Sequence, residues 1–313
     1  MRKALITGGA GFIGSTLADR LSAHGVAVVI YDDLSRGRLE FIAGARARDG
    51  VEFVHGDVLD DDLLRRSLVG CDTVFHFAAN ADVRHGLDQP TRDLEQNTIA
   101  TSVVLEAMRA AGVTRIAFAS TGSVYGEPAV FPTPETCPFP VQTSLYGASK
   151  LAGEGLIQAY AHGYGFVGIV FRFVSILGER YTHGHVFDFF TALRADPTRL
   201  RVLGDGRQRK SYLYIQDCVS AILTALRAHD APGFAVYNLG TDEAITVDES
   251  IATICAHLGV DPALEHTGGI RGWAGDSPLI HLDTAKIRAL GWAPTTSIRE
   301  AVVKTLEWLE ANQ

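Results

Sequence analysis

Cysteine is scarce: four residues in 313, Cys71, Cys137, Cys218 and Cys255, stand far apart with no Cys-x-x-Cys pair. That spacing argues against a disulfide framework and against a cysteine-built zinc site, and it fits reduced thiols in a cytosol. Positive charge is short as well. Lys and Arg number 28 against 36 Asp and Glu, a net charge of −8, and a nucleic acid or an anionic membrane surface would call for the opposite balance. No apolar run approaches the ~18 residues of a membrane span, and no charged-then-apolar leader precedes the first strand. Repeats and low-complexity linkers are missing too. A soluble, cytoplasmic chain is expected, and 47% hydrophobic residues suffice for one large domain or two joined ones.

What is present is concentrated at the start. Lys3-Ala-Leu-Ile-Thr7 reads as a short apolar strand, Gly8-Gly-Ala-Gly11-Phe-Ile-Gly14 as a glycine turn and Ser15-Thr-Leu-Ala-Asp-Arg-Leu21 as a helix. In that order they present backbone N–H groups at a helix N-terminus, where a pyrophosphate can sit. Gly9-x-Gly11-x-x-Gly14 matches the dinucleotide fingerprint, and Gly8 adds the wider Gly-x-x-Gly-x-x-Gly spacing. A tight turn without a ligand is the plain alternative. Against it stands Val26-Ala-Val-Val-Ile-Tyr31, a second buried strand ending at Asp32, whose carboxylate falls about 20 residues on, where adenosine ribose hydroxyls are bound.

Strand and helix patterns then alternate. Val51 to Val58 reads as a third strand closing on Asp57, Asp60 to Gly70 as a helix, Thr73 to Ala79 as a fourth strand and Asn97 to Ala111 as a long helix. Arg115 to Thr121 is a fifth strand, Tyr146 to Ala161 a helix and Val167 to Phe173 a further strand. Such βαβα order implies an α/β fold with a doubly wound parallel sheet, and ligands beyond the carboxyl ends of its strands. Asp32, Asp57, Ala78 and Thr121 fall at that edge. The second half is less regular: a polar loop from Gly178 to Gly184, helices over Asp188–Arg194, Val247–Leu258 and Ser297–Glu310, and strands over Leu200–Gly206 and Val236–Gly240. The clearest boundary lies near Arg172. Residues 1–171 with about 212–240 are expected to form a dinucleotide domain, and 172–211 with 241–313 a smaller α/β substrate domain.

The chemistry is expected at Tyr146-Gly-Ala-Ser-Lys150. Residues four apart on a helix share a face, so the ammonium lies beside the phenol. A phenol of pKa ~10 falls by ~1 to 3 units next to a cation, toward the value a general base needs. Thr121, at the end of the preceding strand, supplies a hydroxyl for the same substrate oxygen. An ordinary exposed Tyr/Lys pair is the alternative when the motif stands alone. His183 and His185 are too close together and too short of acidic partners for a metal site, so no metal is expected. His55, His76 and His281 read as ordinary strand-end or core histidines.

Thr7-Gly-Gly-Ala-Gly-Phe-Ile-Gly14, Asp32-Asp-Leu-Ser35, Gly56-Asp57-Val58, His76-Phe-Ala-Ala79, Asn97 with Thr101, Ser120-Thr-Gly-Ser-Val-Tyr-Gly126, Tyr146-x-x-x-Lys150 and Arg172-Phe173 together resemble the extended short-chain dehydrogenase/reductase family, in particular its nucleotide-sugar epimerases. The resemblance runs on through Gly204-Asp-Gly-x-Gln208, Tyr214-x-x-Asp217, Asn238-Leu-Gly240, Arg271 with Asp276, and Leu290-Gly-Trp-x-Pro294. It implies a Rossmann-type domain, a permanently held NAD and a homodimer built on the helices around Asn97–Ala111 and Tyr146–Ala161. It assigns cofactor contacts to Gly8, Gly11, Phe12, Ile13 and Gly14; to Asp32, Asp33, Leu34, Ser35 and Gly37; to Asp57 and Val58 beside adenine; and to Phe77, Ala78, Ala79, Asn97 and Phe173. Asp32 repels a 2′-phosphate and favours NAD, with Arg36 and Arg38 keeping NADP as the alternative. Tyr146 would take the proton of a sugar hydroxyl, Thr121 hold the oxygen, and Lys150 tune the phenol and bind the nicotinamide ribose, giving a 4-keto sugar that turns over and is reduced on its other face.

For a UDP-sugar the diphosphate needs cations, for which Arg84, Arg209, Lys210 and Arg271 are candidates, with Arg209 against Lys210 undecided. Gly122 and Ser123 stand where related dehydratases and decarboxylases carry acidic residues, so epimerisation is the simpler reading. Ser175 takes a position that is Asn in UDP-glucose epimerases. With Thr121 and Ser123 it forms a hydroxyl set suited to a C6 carboxylate, and Arg180 is a possible partner for it. UDP-glucuronate is therefore the expected substrate, with UDP-glucose/UDP-galactose or an N-acetylhexosamine as the alternative. A dehydratase or decarboxylase, and an NAD-binding regulator without catalysis, stay open behind these.

Overall fold

The computed structural model describes residues 1–81, 86, 88–138, 141–272 and 279–312. The chain divides into two compact units, Met1–Gly126 with Pro140–Arg172 and Ile222–Tyr237, and Glu127–Phe139 with Phe173–Ala221 and Asn238–Gln313. The stretch that returns to the first unit is shorter than 212–240, and a detour over 127–139 leaves it.

Seven strands make the sheet of the first unit: β1 Lys3–Thr7, β2 Ala27–Asp32, β3 Val51–His55, β4 Thr73–His76, β5 Arg115–Thr121, β6 Val167–Phe173 and, at one edge, Gly233–Leu239. From that edge the order is Gly233–Leu239, β6, β5, β4, β1, β2, β3. β1 runs parallel to both β2 and β4, with Leu5 opposite Val29 on one side and Val74 on the other. The winding therefore reverses between β1 and β4, and their carboxyl ends, Thr7 and His76, open the crevice that such a switch point creates.

The strands are near-continuous apolar runs because helices cover both faces. Ala4 to Ile6, Val28 to Tyr31, Ile116 to Phe118 and Ile169 to Phe171 are all buried. Leu5, Val74, Ile116 and Val170 pack in one cluster with Leu64, Leu105, Met108 and Ile157 from the helices, each worth roughly 1.5–3 kcal/mol of transfer free energy. The helices concerned are Asp61–Ser67, Ala100–Ala111 and Leu145–Tyr164.

Several boundaries differ from expectation. β3 stops at His55: the Gly56 N–H makes the last ladder bond, to the Asp32 carbonyl at 3.1 Å, and the chain then turns at Asp57, whose Oδ1 accepts from the Leu59 N–H at 2.9 Å. β4 stops at His76, the Phe77 N–H making the last ladder bond, to the Thr7 carbonyl at 3.1 Å. The long helix starts earlier than Asn97, as Pro90–Asp93 followed by a widened π-helical turn, Leu94–Ile99; such turns are frequent at functional sites. The helix Ile215–Arg227 was not anticipated.

The second unit is made of short pieces. Ser175–Leu177 pairs with Tyr212–Tyr214, Arg199–Val202 with Ala263–His266, and Arg209–Lys210 with both Ile245–Thr246 and Leu279–Ile280. Its helices are His185–Ala195, Val247–Leu258, which opens with a Thr246/Glu249 capping box, and Ile298–Asn312. Among the described residues no helix is long and apolar enough to cross a membrane.

Candidate active site

Gly8 ends β1 at φ +65°, and a Cβ there would stand 2.7 Å from the Ala78 nitrogen; at Gly14 it would stand 2.2 Å from the Gly8 carbonyl oxygen. Neither position accepts a side chain. The helix Phe12–Ala23 that follows has Gly11 as its N-cap, no side-chain cap and no acidic residue in its first turn. Its first intrahelical bond runs from the Ser15 N–H to the Gly11 carbonyl at 3.0 Å, so the preceding N–H groups point along the axis, as an anion requires.

Asp32 is buried at the end of β2. One of its carboxylate oxygens accepts from the Ala10 N–H at 2.9 Å and the other from the Leu34 N–H at 2.8 Å. The carboxylate thus braces the glycine turn, with lone pairs left for ribose hydroxyls. Burial pushes its pKa up, against the pull of the two N–H bonds. Gly37 lies against it, and Asp33 Oδ1 holds the Ser35 N–H and hydroxyl at 2.9 and 2.7 Å. A backbone cradle that a side chain would fill, an uncapped helix start and a braced carboxylate fit a dinucleotide such as NAD.

From this turn a buried hydrogen-bonded rail crosses the unit. The Thr7 hydroxyl accepts from the Phe77 and Ala78 N–H groups at 3.2 and 3.3 Å, so its own proton points at His76 Nδ1, 2.8 Å away. Nε2 then carries the ring proton and donates to Thr101 Oγ1 at 3.1 Å, which donates to the Asn97 carbonyl at 2.5 Å. Burial, and next Lys150, push the His76 pKa down to about 3, so the ring is neutral. Asn97 accepts from the Asn80 N–H at 2.9 Å and donates to Ser149 Oγ at 2.9 Å, which donates to the Tyr146 carbonyl at 2.8 Å. Asp93 Oδ1 accepts from Asn80 Nδ2 at 2.8 Å. His76 is thus the strand-end core histidine expected, buried, neutral and hydrogen-bonded at both ring nitrogens.

Tyr146 and Lys150 lie on the first turns of Leu145–Tyr164, which Ser144 starts by accepting the Gly147 N–H at 3.0 Å. The Thr121 side chain stands near enough to the Tyr146 phenol to pull its pKa down. Thr121 Oγ1 also accepts from the Ser123 N–H at 3.1 Å and donates to Ser123 Oγ at 3.2 Å, across the short turn Gly122–Tyr125. Lys150 is fully buried; it donates to the Ala119 carbonyl at 2.9 Å and lies 4.7 Å over the Phe118 ring.

The expected acidification of Tyr146 is not found in the protein by itself. Burial pushes the phenol up to about 12, with the Thr121 side chain lowering it and Asp93 raising it. It is Lys150 that moves down, to about 7, again through burial, with Glu154 and Asp93 acting the other way. In both groups desolvation is the largest cause.

The remaining expected residues stand on the second unit. Phe173 is buried and Ser175 exposed; Arg180 sits in the left-handed region at φ 71°. Arg209 and Lys210 are successive strand residues and so face opposite sides, Arg209 donating to the Ala244 carbonyl at 3.2 Å. Arg271 forms an ion pair with Glu127. Arg84 and Asp276 lie outside the described residues. Sequence reasoning passed over Asp93 and Glu154, although Glu154 follows Lys150 by four on the same helix.

Residues 4–240 match the NAD dependent epimerase/dehydratase family. The chain is 35% identical over 314 residues to a UDP-glucose 4-epimerase of Mycolicibacterium smegmatis, covering 98% of both proteins. A crystal structure of a UDP-galactose 4-epimerase matches with a TM-score of 0.88 at 38% identity over 99% of each chain. The UDP-glucose 4-epimerase of Thermus thermophilus, solved with NAD, matches with a TM-score of 0.88 at 31% identity, over 99% of this chain and 100% of that one.

Proposed function

Since the chain belongs to the NAD-dependent epimerase/dehydratase family, we propose that it interconverts UDP-glucose and UDP-galactose by inverting C4 through a transient 4-keto sugar. The observation that carries this reading is Tyr146 with the Thr121 side chain beside its phenol and Lys150 one turn further along the same helix. Tyr146 takes the proton of the 4-hydroxyl and later returns it, while Thr121 holds the oxygen. When bound, NAD supplies the hydride acceptor and donor and a cationic ring that favours the phenolate. Lys150 donates one hydrogen bond inside the protein, to Ala119, and turns its further N–H groups to ribose hydroxyls. The Gly8–Gly14 turn and Asp32 hold the cofactor, and Arg271 with one of Arg209 and Lys210, which face opposite sides of their strand, is assigned to the diphosphate.

Glucuronate gives way to glucose as the substrate. The curated relative named above is a UDP-glucose 4-epimerase. Proton NMR of the sugar after incubation with UDP-glucose, and separately with UDP-glucuronate, tests the reading. Turnover of UDP-glucose is expected, and at least a ~100-fold loss in Tyr146→Phe with NAD still bound. Faster turnover of UDP-glucuronate would restore the displaced substrate, and no turnover of either would favour a silent NAD-binding regulator.

A homodimer through Leu94–Ala111 and Leu145–Tyr164 is part of the proposal. Leu94, Ile99 and Leu145 leave 51, 44 and 38% of their surface exposed on those elements, and light scattering of the purified protein checks it.

A further inference from the structure

The helix that carries Tyr146 and Lys150 carries a third polar residue on the same face, Glu154, eight positions beyond the tyrosine. It is 4% exposed. Its carboxylate accepts Arg172 Nε at 3.0 Å on one oxygen and Arg172 Nη2 at 2.6 Å on the other, and also the Ser120 hydroxyl at 2.5 Å. Arg172 in turn donates Nη1 to the Tyr125 hydroxyl at 2.8 Å and lies 4.7 Å over that ring. Ser120 and Tyr125 are the two ends of the segment that holds Thr121 and Ser123. One buried ion pair therefore grips that segment at both ends and fixes it to the helix of Tyr146.

Stability alone does not call for such a pair. Removing a carboxylate and a guanidinium from water costs several kcal/mol each, and apolar residues of similar volume often serve a core as well. What the pair supplies that an apolar core would not is direction: a planar fork, a carboxylate and two hydroxyls have one mutual arrangement. We propose that Glu154 and Arg172 are positioning residues, which set the reach between the Thr121 hydroxyl and the Tyr146 phenol and thereby the rate of the proton-transfer step. The inference rests on the epimerase reading above.

Three variants test it without leaving a lone buried charge. Ser120→Ala removes one hydrogen bond to Glu154. Arg172→Lys keeps the charge but loses the fork and the bond to Tyr125. Tyr125→Phe removes only the hydroxyl and replaces Arg172→Lys should that protein not fold. Each is expected to lower kcat about tenfold, or about 1.4 kcal/mol of barrier, with KM for UDP-glucose within about twofold and NAD retained. Because both routes pass through the same ion pair, the double variant Ser120→Ala/Arg172→Lys is expected to be no slower than its slower parent. Unchanged kcat in the single variants, a KM that rises in step with the loss, or a double variant at the product of the two losses would overturn the proposal. A wild-type protein that does not epimerise would instead overturn the reading beneath it.

Discussion

Replacing Lys150 by methionine removes an ammonium that is 1% exposed, donates to the Ala119 carbonyl at 2.9 Å and lies 4.7 Å over the Phe118 ring. Burial pushes its pKa down from 10.5 to about 7. The folded value lies below the unfolded one, so between about pH 7 and 10.5 the unfolded chain binds the proton that the folded chain sheds, and stability rises with pH across that window. At about 1.4 kcal/mol per pKa unit, the charge costs the folded protein at most ~5 kcal/mol at pH 7 and below. The attraction to Glu154 and Asp93 is already contained in that shift; the lost hydrogen bond to the Ala119 carbonyl offsets part of it, leaving a net gain of about 1–3 kcal/mol for Lys150→Met. Glu154 is not orphaned, since Arg172 holds it at 2.6 Å. Denaturant and thermal unfolding of NAD-stripped protein at pH 7 and pH 10 are the assay. The variant is expected to be the more stable at pH 7, to lose that advantage by pH 10 and to be catalytically dead. A variant less stable at pH 7, or a difference independent of pH, would refute the reasoning.

Gly8→Ala forces a methyl group to 2.7 Å from the Ala78 nitrogen in a backbone conformation that disfavours side chains. NAD affinity is expected to fall at least ~100-fold, about 2.7 kcal/mol, and the cofactor content of purified protein reports it; full occupancy would contradict it. Glu127→Gln releases Arg271 from its ion pair. UDP binding by calorimetry should tighten by about threefold at low salt and lose that gain near 1 M salt, as exposed pairs of this kind are weak and screened; an unchanged Kd speaks against a diphosphate role for Arg271.

The glycine turn, the alternation of strands and helices and the Tyr146/Lys150 pair were legible because each rests on a local signal: a fixed glycine spacing, an apolar run, a helical repeat of four. What was not legible depends on contacts between distant stretches. Glu154 meets Ser120 across 34 residues of sequence and Arg172 across 18, and no local pattern announces either. The same holds for His76, whose partners Thr7 and Thr101 lie 69 and 25 residues away. The Tyr146 pKa of the protein by itself departs from expectation for a related reason. Spacing places a cation beside a phenol, but burial, which decides the sign, is a property of the folded unit. The widened turn at Leu94–Ile99 sits where Asn97 spends its side chain on Asn80 and Ser149, again a demand made from outside the helix.

The fate of the hydrogen on C4 is the most direct measurement. With UDP-glucose deuterated at C4 in ordinary water, a hydride removed and returned within one site leaves the deuterium at C4 of the UDP-galactose formed, and that position stays silent in proton NMR throughout the reaction. Solvent hydrogen growing in at C4, or no galactose epimer at all, would contradict it.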